Sequence, residues 1–207
     1  MHPNPVYHDA DALQNLAFAR ARGFGVLIAQ GSAAPLVGHV PFLLGDDGTS
    51  ADLHLVRSNP IARALNVPMQ VTLAISGGDS YVSPDWYGVA DQVPTWNYIA
   101  VHLTGTLEAR PADELRDLLD RQSAFYEARL MPKPPWKTAK MTPEILEKMM
   151  RMIVPCRIEI SGVDGTWKLG QNKPETVRIA AADHMAGYGF GSETDVLAAQ
   201  MRAARSK

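Results

Sequence analysis

One cysteine in 207 residues, Cys156, leaves nothing to build a disulfide framework or a Cys-rich zinc site. It lies in Val-Pro-Cys-Arg-Ile-Glu-Ile, which reads as the start of a strand, and is expected to be a packed thiol rather than a reactive one. Charge of one sign is also lacking: 20 Lys and Arg stand against 22 Asp and Glu, for a formal net charge of -2. A dedicated nucleic-acid binder shows a basic excess or stripe, and a helix-turn-helix pattern is missing too. The one basic run, Arg202, Arg205 and Lys207, reads as a solvated end. Direct DNA contact is therefore not expected. No stretch approaches the roughly 18 apolar residues of a membrane helix. Residues 1–7, Met-His-Pro-Asn-Pro-Val-Tyr, lack a basic region followed by an apolar run, so no secretory leader is expected and the cytoplasm is the default location. The six histidines show no metal-ligand spacing, and there is no nucleophile elbow or carboxylate pair, so no catalytic residue and no metal site is assigned. Gly187-Tyr-Gly-Phe-Gly191 follows no strand and is not a dinucleotide fingerprint.

What is present suits a soluble globular chain, with 46% hydrophobic and 20% charged residues, enough for a single core. Leu13, Leu16, Ala17 and Arg20 recur at helical spacing, which predicts a helix over Asp9–Arg22 with Asp9 or Asp11 as its cap. Short apolar or alternating runs predict strands over 25–30, 34–44, 51–56 and 69–75, with Gly45-Asp46-Asp47-Gly48 a turn and Gly77-Gly78-Asp79 a break. Tyr81–Tyr87 reads as extended. Residues 98–107 alternate cleanly and give the clearest strand. Asn59-Pro60 opens a short helix over 61–65. Helices are predicted over 111–129 and 142–152, the second with a Thr cap and Pro143 at its first position, then a strand over 157–160 and a terminal helix from Glu193. Consecutive strands joined by short turns favour an antiparallel sheet closing into a barrel, a mainly β fold with flanking helices.

Three places hold residue types suited to a ligand. Tyr81-Val-Ser-Pro-Asp-Trp-Tyr87 and Val93-Pro-Thr-Trp-Asn-Tyr98 concentrate two Trp and three Tyr in 18 residues of a chain that is only 7% aromatic. Flat side chains stack on planar rings, but a packed aromatic corner or a dimer interface would use the same residues. His54-Leu-Val-Arg-Ser-Asn-Pro60 joins a strand to a helix start, where backbone N–H groups beside Arg57 and Ser58 suit an anion, although Ser-Asn-Pro is also a plain helix cap. Trp167-Lys-Leu-Gly-Gln-Asn-Lys173 gathers two cations and two amides, which a solvated turn would also do.

These strings, together with His39-Val-Pro-Phe42, resemble the signature of the PaiB-type family of FMN-binding negative transcriptional regulators. The C-terminal string departs at one position, Gly170, where the family has Ser. The likeness runs in family order from about residue 3 to 180. It implies an FMN-binding split β-barrel related to pyridoxamine-phosphate oxidases and flavin reductases, covering residues 1–180 with a helical insertion at about 111–152 and a tail at 181–207. It further implies a homodimer with FMN in the cleft between subunits. His39 and Pro41 would line the isoalloxazine. His54, Arg57, Ser58 and Asn59 would hold the phosphate. Thr95, Trp96, Asn97 and Tyr98 would approach the ring or ribityl chain, and Lys168, Gln171 and Asn172 would complete the cleft from either subunit. Two functions follow: a flavin-linked regulator that does not itself touch DNA, or an FMN-dependent oxidoreductase. Split-barrel relatives that use histidine for haem leave a haem protein as a lesser alternative.

Overall fold

The computed structural model describes residues 1–206. The chain forms two compact units, one from residues 19–74 and 103–162, the other from residues 1–18, 75–102 and 163 onward.

The first unit is the barrel. Strands β1 (Phe24–Ala29), β2 (Leu36–Leu44) and β3 (Ser50–Val56) are joined by short turns, and β4 (Met69–Val82), β5 (Thr95–Ala109) and β6 (Ile153–Lys168) each contribute one end. The order is β1-β2-β3-β6-β5-β4, and β1 pairs again with β4, Leu27 opposite Leu73, so the sheet closes. This closed antiparallel sheet is the barrel that the strand pattern predicts, and the split β-barrel that the family resemblance implies. The alternation that marked the strands sets their inner face: Leu27, Val40, Phe42, Leu53, Leu73, Leu103, Leu107 and Ile158 are all buried. Closure brings β5 and β6 so near that a Cβ on Gly105 would lie 2.1 Å from the Glu159 carbonyl oxygen. Cys156 is buried here, and burial pushes its thiol up to about 12, which makes it an inert packing group.

Three helices dress the barrel: α2 (Pro60–Ala64), α3 (Leu115–Glu127) and α4 (Pro143–Met150), numbered after an N-terminal α1 (Ala12–Arg22). Asn59 caps α2 as the sequence predicts, its Oδ1 accepting from Ile61 N at 2.9 Å. Thr142 holds the cap position of α4 but makes no side-chain cap bond. α3 is fixed by Leu115 and Leu118 and by the Tyr126 hydroxyl, which donates to the carbonyls of Gly23 and Phe42. Asp52 on β3 adds a buried ionic tie: Arg157 grips it with Nε at 2.7 Å and Nη2 at 3.1 Å, and Arg121 of α3 reaches it at 3.1 Å.

In the second unit, α5 (Glu175–Tyr188) and α6 (Thr194–Ala203) pack with Val82, Tyr87, Ile99, Trp167 and Leu169 into one core that includes Met185, Leu197 and Met201. Asp11 caps α1 through Gln14 N at 2.7 Å, and Trp167 Nε1 donates to Asn15 Oδ1 at 2.8 Å. Three expectations are corrected here. The glycines at 77–78 do not end β4. They let it run on, because a Cβ on Gly77 would lie 2.8 Å from the Phe18 ring and one on Gly78 3.0 Å from the Glu193 carbonyl. Residues 84–87 form a 3-10 turn rather than an extended segment, since Pro84 fixes its first turn. The tail holds two helices, not one. α5 escaped the pattern because its buried face carries Arg178, whose Nε donates to the Met201 carbonyl at 2.7 Å.

Candidate functional site

Six of the expected ligand residues lie in the barrel unit. On β2 the pleat turns Gly38 and Val40 inward and leaves His39 exposed and Pro41 half-buried. His39 stacks on Phe24 of β1, ring centroids 6.5 Å apart and planes 28° apart. Phe24 and Val37 are each 54% exposed, so this outer β1–β2 face is an apolar surface on the single chain. Gly38 gives room to the loop beside it: a Cβ there would lie 3.3 Å from Asn59 Nδ2. The 57–59 turn is thus placed against β2. Its side chains are a guanidinium, a hydroxyl and an amide, with Arg57 and Ser58 exposed and Asn59 committing only its oxygen to the helix cap. Arg57 is held from behind, its backbone N–H donating to the Met152 carbonyl at 2.9 Å and its Nε to the Arg151 carbonyl at 2.7 Å.

His54 is placed differently from the rest of this group. It packs beneath α3, where Gln122 lies beside it without hydrogen-bonding geometry, so that His54 Nδ1 and Gln122 Nε2 are both buried without a partner. Burial lowers the imidazole pKa, and the nearby Gln122 amide opposes that only in part.

The other seven residues belong to the second unit. Thr95 Oγ1 accepts from Lys168 Nζ at 2.6 Å, and burial lowers the pKa of that ammonium. Trp96 is 44% exposed and meets Tyr81 and Phe190 edge-on, while Tyr81 and Phe190 stack at 5.6 Å with planes 17° apart. Phe190 reaches Tyr81 because Gly191, at φ +147°, lets β7 (Gly191–Ser192) pair with Asp79 and Ser80 at the edge of β4. Tyr98 is half-buried and Asn172 exposed. Asn97 is buried, its Nδ2 donating to Met201 Sδ at 3.3 Å. Gln171 is buried too: its Oε1 accepts from Leu169 N at 2.8 Å and its Nε2 donates to the Trp167 carbonyl at 2.6 Å, closing the turn that follows β6. Gly170 in that turn has φ +79°, which explains why a residue without a side chain stands there. Sequence reading missed Arg151, Gln122 and Phe190. Of these only Phe190 lay in a noted string, and as part of a glycine motif that was set aside.

Comparison with known proteins bears on this arrangement. Residues 1–162 match the family model described as "Putative FMN-binding domain". The chain is 30% identical over 161 residues to protease synthase and sporulation protein PAI 2 of Bacillus subtilis, covering 77% of this chain and 76% of that protein. The chain belongs to this PaiB-type FMN-binding family. Among solved structures, the FAD- and haem-binding protein of Mycobacterium smegmatis superposes with a TM-score of 0.60 at 14% identity, over 90% of this chain and 82% of that one. The flavocytochrome Anf3 of Azotobacter vinelandii follows at 0.53 and 15%, over 81% and 72%. At such identities these two speak for the fold alone.

The residues of this family member suit FMN chemically. The 57–59 turn offers hydrogen-bond donors from three successive side chains and holds no carboxylate, which is the donor set a phosphate needs. The Tyr81–Trp96–Phe190 cluster gives exposed π faces of the kind a planar ring stacks on. FMN is the cofactor of the family.

Proposed function

We propose that the protein acts as a homodimer through bound FMN, in a redox-linked role with regulatory consequence, and not by touching DNA. Bound FMN supplies reversible electron transfer at its isoalloxazine. The chain's part is to hold and orient it. Arg57, Ser58 and Asn59 take the phosphate by charge-assisted and neutral hydrogen bonds, with Arg57 fixed by the Arg151 and Met152 carbonyls. His39 and Pro41 would line the ring from the barrel surface, and Trp96, Tyr98 and Lys168 would complete its surroundings from either subunit. Three more of the expected residues brace this frame: Thr95 tethers Lys168, Gln171 closes its turn, and Asn97 is anchored in the core.

The observation that carries the reading is the carboxylate-free turn at 57–59, pinned against β2 in a chain of the FMN-binding family. The exposed apolar β1–β2 face around Phe24 and Val37 supports a second copy as its cover. Against DNA stands charge. A dimer carries twice the chain's formal -2, which opposes approach to a polyanion at long range. Among the described residues no helix is long and apolar enough to cross a membrane.

The test is a pair of titrations on wild type and Arg57→Ala. A charge-assisted phosphate contact is worth about 1.5–3 kcal/mol, so FMN affinity should fall about ten- to a hundredfold while riboflavin affinity stays within about twofold. Equal losses for both ligands would show that Arg57 does not seat the phosphate. Promoter DNA offered to the same protein should give no tight complex. Binding that weakens about 10³- to 10⁵-fold between 50 and 200 mM salt would restore direct DNA contact.

A further inference from the structure

The phosphate seat described above supplies one cation to a group that carries nearly two negative charges at neutral pH. Ser58 and Asn59 are neutral, and the chain as a whole is net negative. A second cation would balance the seat, and the barrel unit holds one in place. The two backbone-directed bonds that fix Arg57, from its N–H to the Met152 carbonyl and from its Nε to the Arg151 carbonyl, bring the turn after β3 onto the corner between α4 and β6. Both arginines line one cavity of about 260 Å³ there, with Leu115, Met150 and Ile153 among its apolar walls.

The arginines are as notable for their partners as for their place. Glu147 also lines the cavity, yet neither guanidinium is in an ion pair with a described residue. Arg57 gives its Nε to a carbonyl, which leaves its two terminal nitrogens, and the Arg151 side chain makes no hydrogen bond among the described residues. Other arginines of the unit are matched, Arg110 to Glu108 and Glu114, Arg116 to Asp120, Arg121 to Asp117 and Asp52, Arg157 to Asp52, while Arg129 is spent on the Arg20 and Ala21 carbonyls and Arg63 does not line this cavity. Two guanidinia without an ion pair beside one cavity suit a single anion received by both.

We propose that Arg151 is the second phosphate-binding cation and that the α4–β6 corner thereby makes the protein selective for phosphorylated over unphosphorylated flavin. This rests on the reading of the 57–59 turn as the phosphate seat. Arg151 has two separable roles: its carbonyl positions Arg57, and its side chain meets the ligand. Alanine at 151 removes only the second.

The experiment is fluorescence titration of FMN and of riboflavin into wild type, Arg151→Ala, Arg57→Ala and the double variant, at low and at physiological salt. Because the Arg151 side chain is exposed and unpartnered, thermal stability without ligand should not move. Should alanine nonetheless destabilise the helix end, Arg151→Gln keeps a long side chain there. Arg151→Ala is expected to weaken FMN about tenfold or more with riboflavin unchanged, and the double variant to lose less than the product of the two single losses, since both groups act on one phosphate. Wild-type FMN affinity in Arg151→Ala alongside a selective loss in Arg57→Ala would leave the seat standing and overturn this inference. An unchanged FMN-to-riboflavin ratio in both single variants would overturn the seat itself. Equal loss of both ligands in Arg151→Ala and Arg151→Gln would make Arg151 a structural residue and also overturn the proposal.

Discussion

Replacing Asp52 by asparagine is expected to loosen the barrel unit without touching the flavin. Asp52 is 8% exposed and receives three charged hydrogen bonds, two from Arg157 at 2.7 and 3.1 Å and one from Arg121 at 3.1 Å. Burial alone would raise its pKa, but the two guanidinia outweigh it and hold the carboxyl below the usual range. Breaking a fully buried pair costs about 3–5 kcal/mol. Here the Arg157 and Arg121 side chains are 30% and 44% exposed, so water takes up part of the loss. The expected cost is nearer the 1.5–3 kcal/mol of one hydrogen bond to a charged group, about 2 kcal/mol. For a chain of this length that lowers Tm by about 4–8 °C. The sign with pH follows from the depressed pKa. The wild-type stabilisation is present above the unfolded carboxyl value of about 3.9 and is lost as pH falls through the lower folded value, whereas the asparagine variant lacks this dependence. Urea unfolding followed by circular dichroism at pH 7 and at several lower values reads both effects. An unchanged midpoint at pH 7, or an acid dependence as steep in the variant as in wild type, would refute the reasoning. FMN affinity measured in the folded variant should match wild type.

Two further outcomes follow from the geometry. Burial lowers the pKa of His54 below its unfolded value of about 6.5, so stability should decline as pH falls from 6.5 toward the folded value and then level off; His54→Gln should abolish that step in pH-dependent unfolding. Gly191→Ala places a Cβ 2.1 Å from the Asp79 carbonyl oxygen at φ +147°, so it should detach β7 from the edge of β4 and cost about 1–3 kcal/mol, seen as a lower Tm and as faster amide exchange at residues 79–80.

The barrel was legible because its physics is local. Val40, Phe42 and Leu44 alternate with exposed or half-buried neighbours, and Asn59-Pro60 caps and opens its helix by short-range bonds alone. What resisted reading depended on distant partners. Gly77 and Gly78 look like a break until Phe18 and the Glu193 carbonyl are seen lying against them. β6 runs to Lys168 through Gly162 and Gly165, which a sequence presents as punctuation, because Asn15 packs against Gly165 and the Thr104 side chain against Gly162. α5 hid because its buried face carries a charged residue, Arg178, which is 1% exposed and bound to the Met201 carbonyl. At the candidate site the ligand-type residues were readable from the resemblance, but not which of them face inward. Asn97 and Gln171 stand in the same strings as Trp96 and Asn172, yet they bond within the core while Trp96 and Asn172 stay exposed. Arg151 carried no signal, since its contact with Arg57 spans 94 residues.

The visible absorption spectrum of the protein after incubation with FMN and removal of unbound ligand tests the central claim most directly. The account predicts flavin bands at about one FMN per chain, retained by wild type and largely lost by Arg57→Ala. A haem band in their place, or a spectrum without flavin from folded protein, would contradict it.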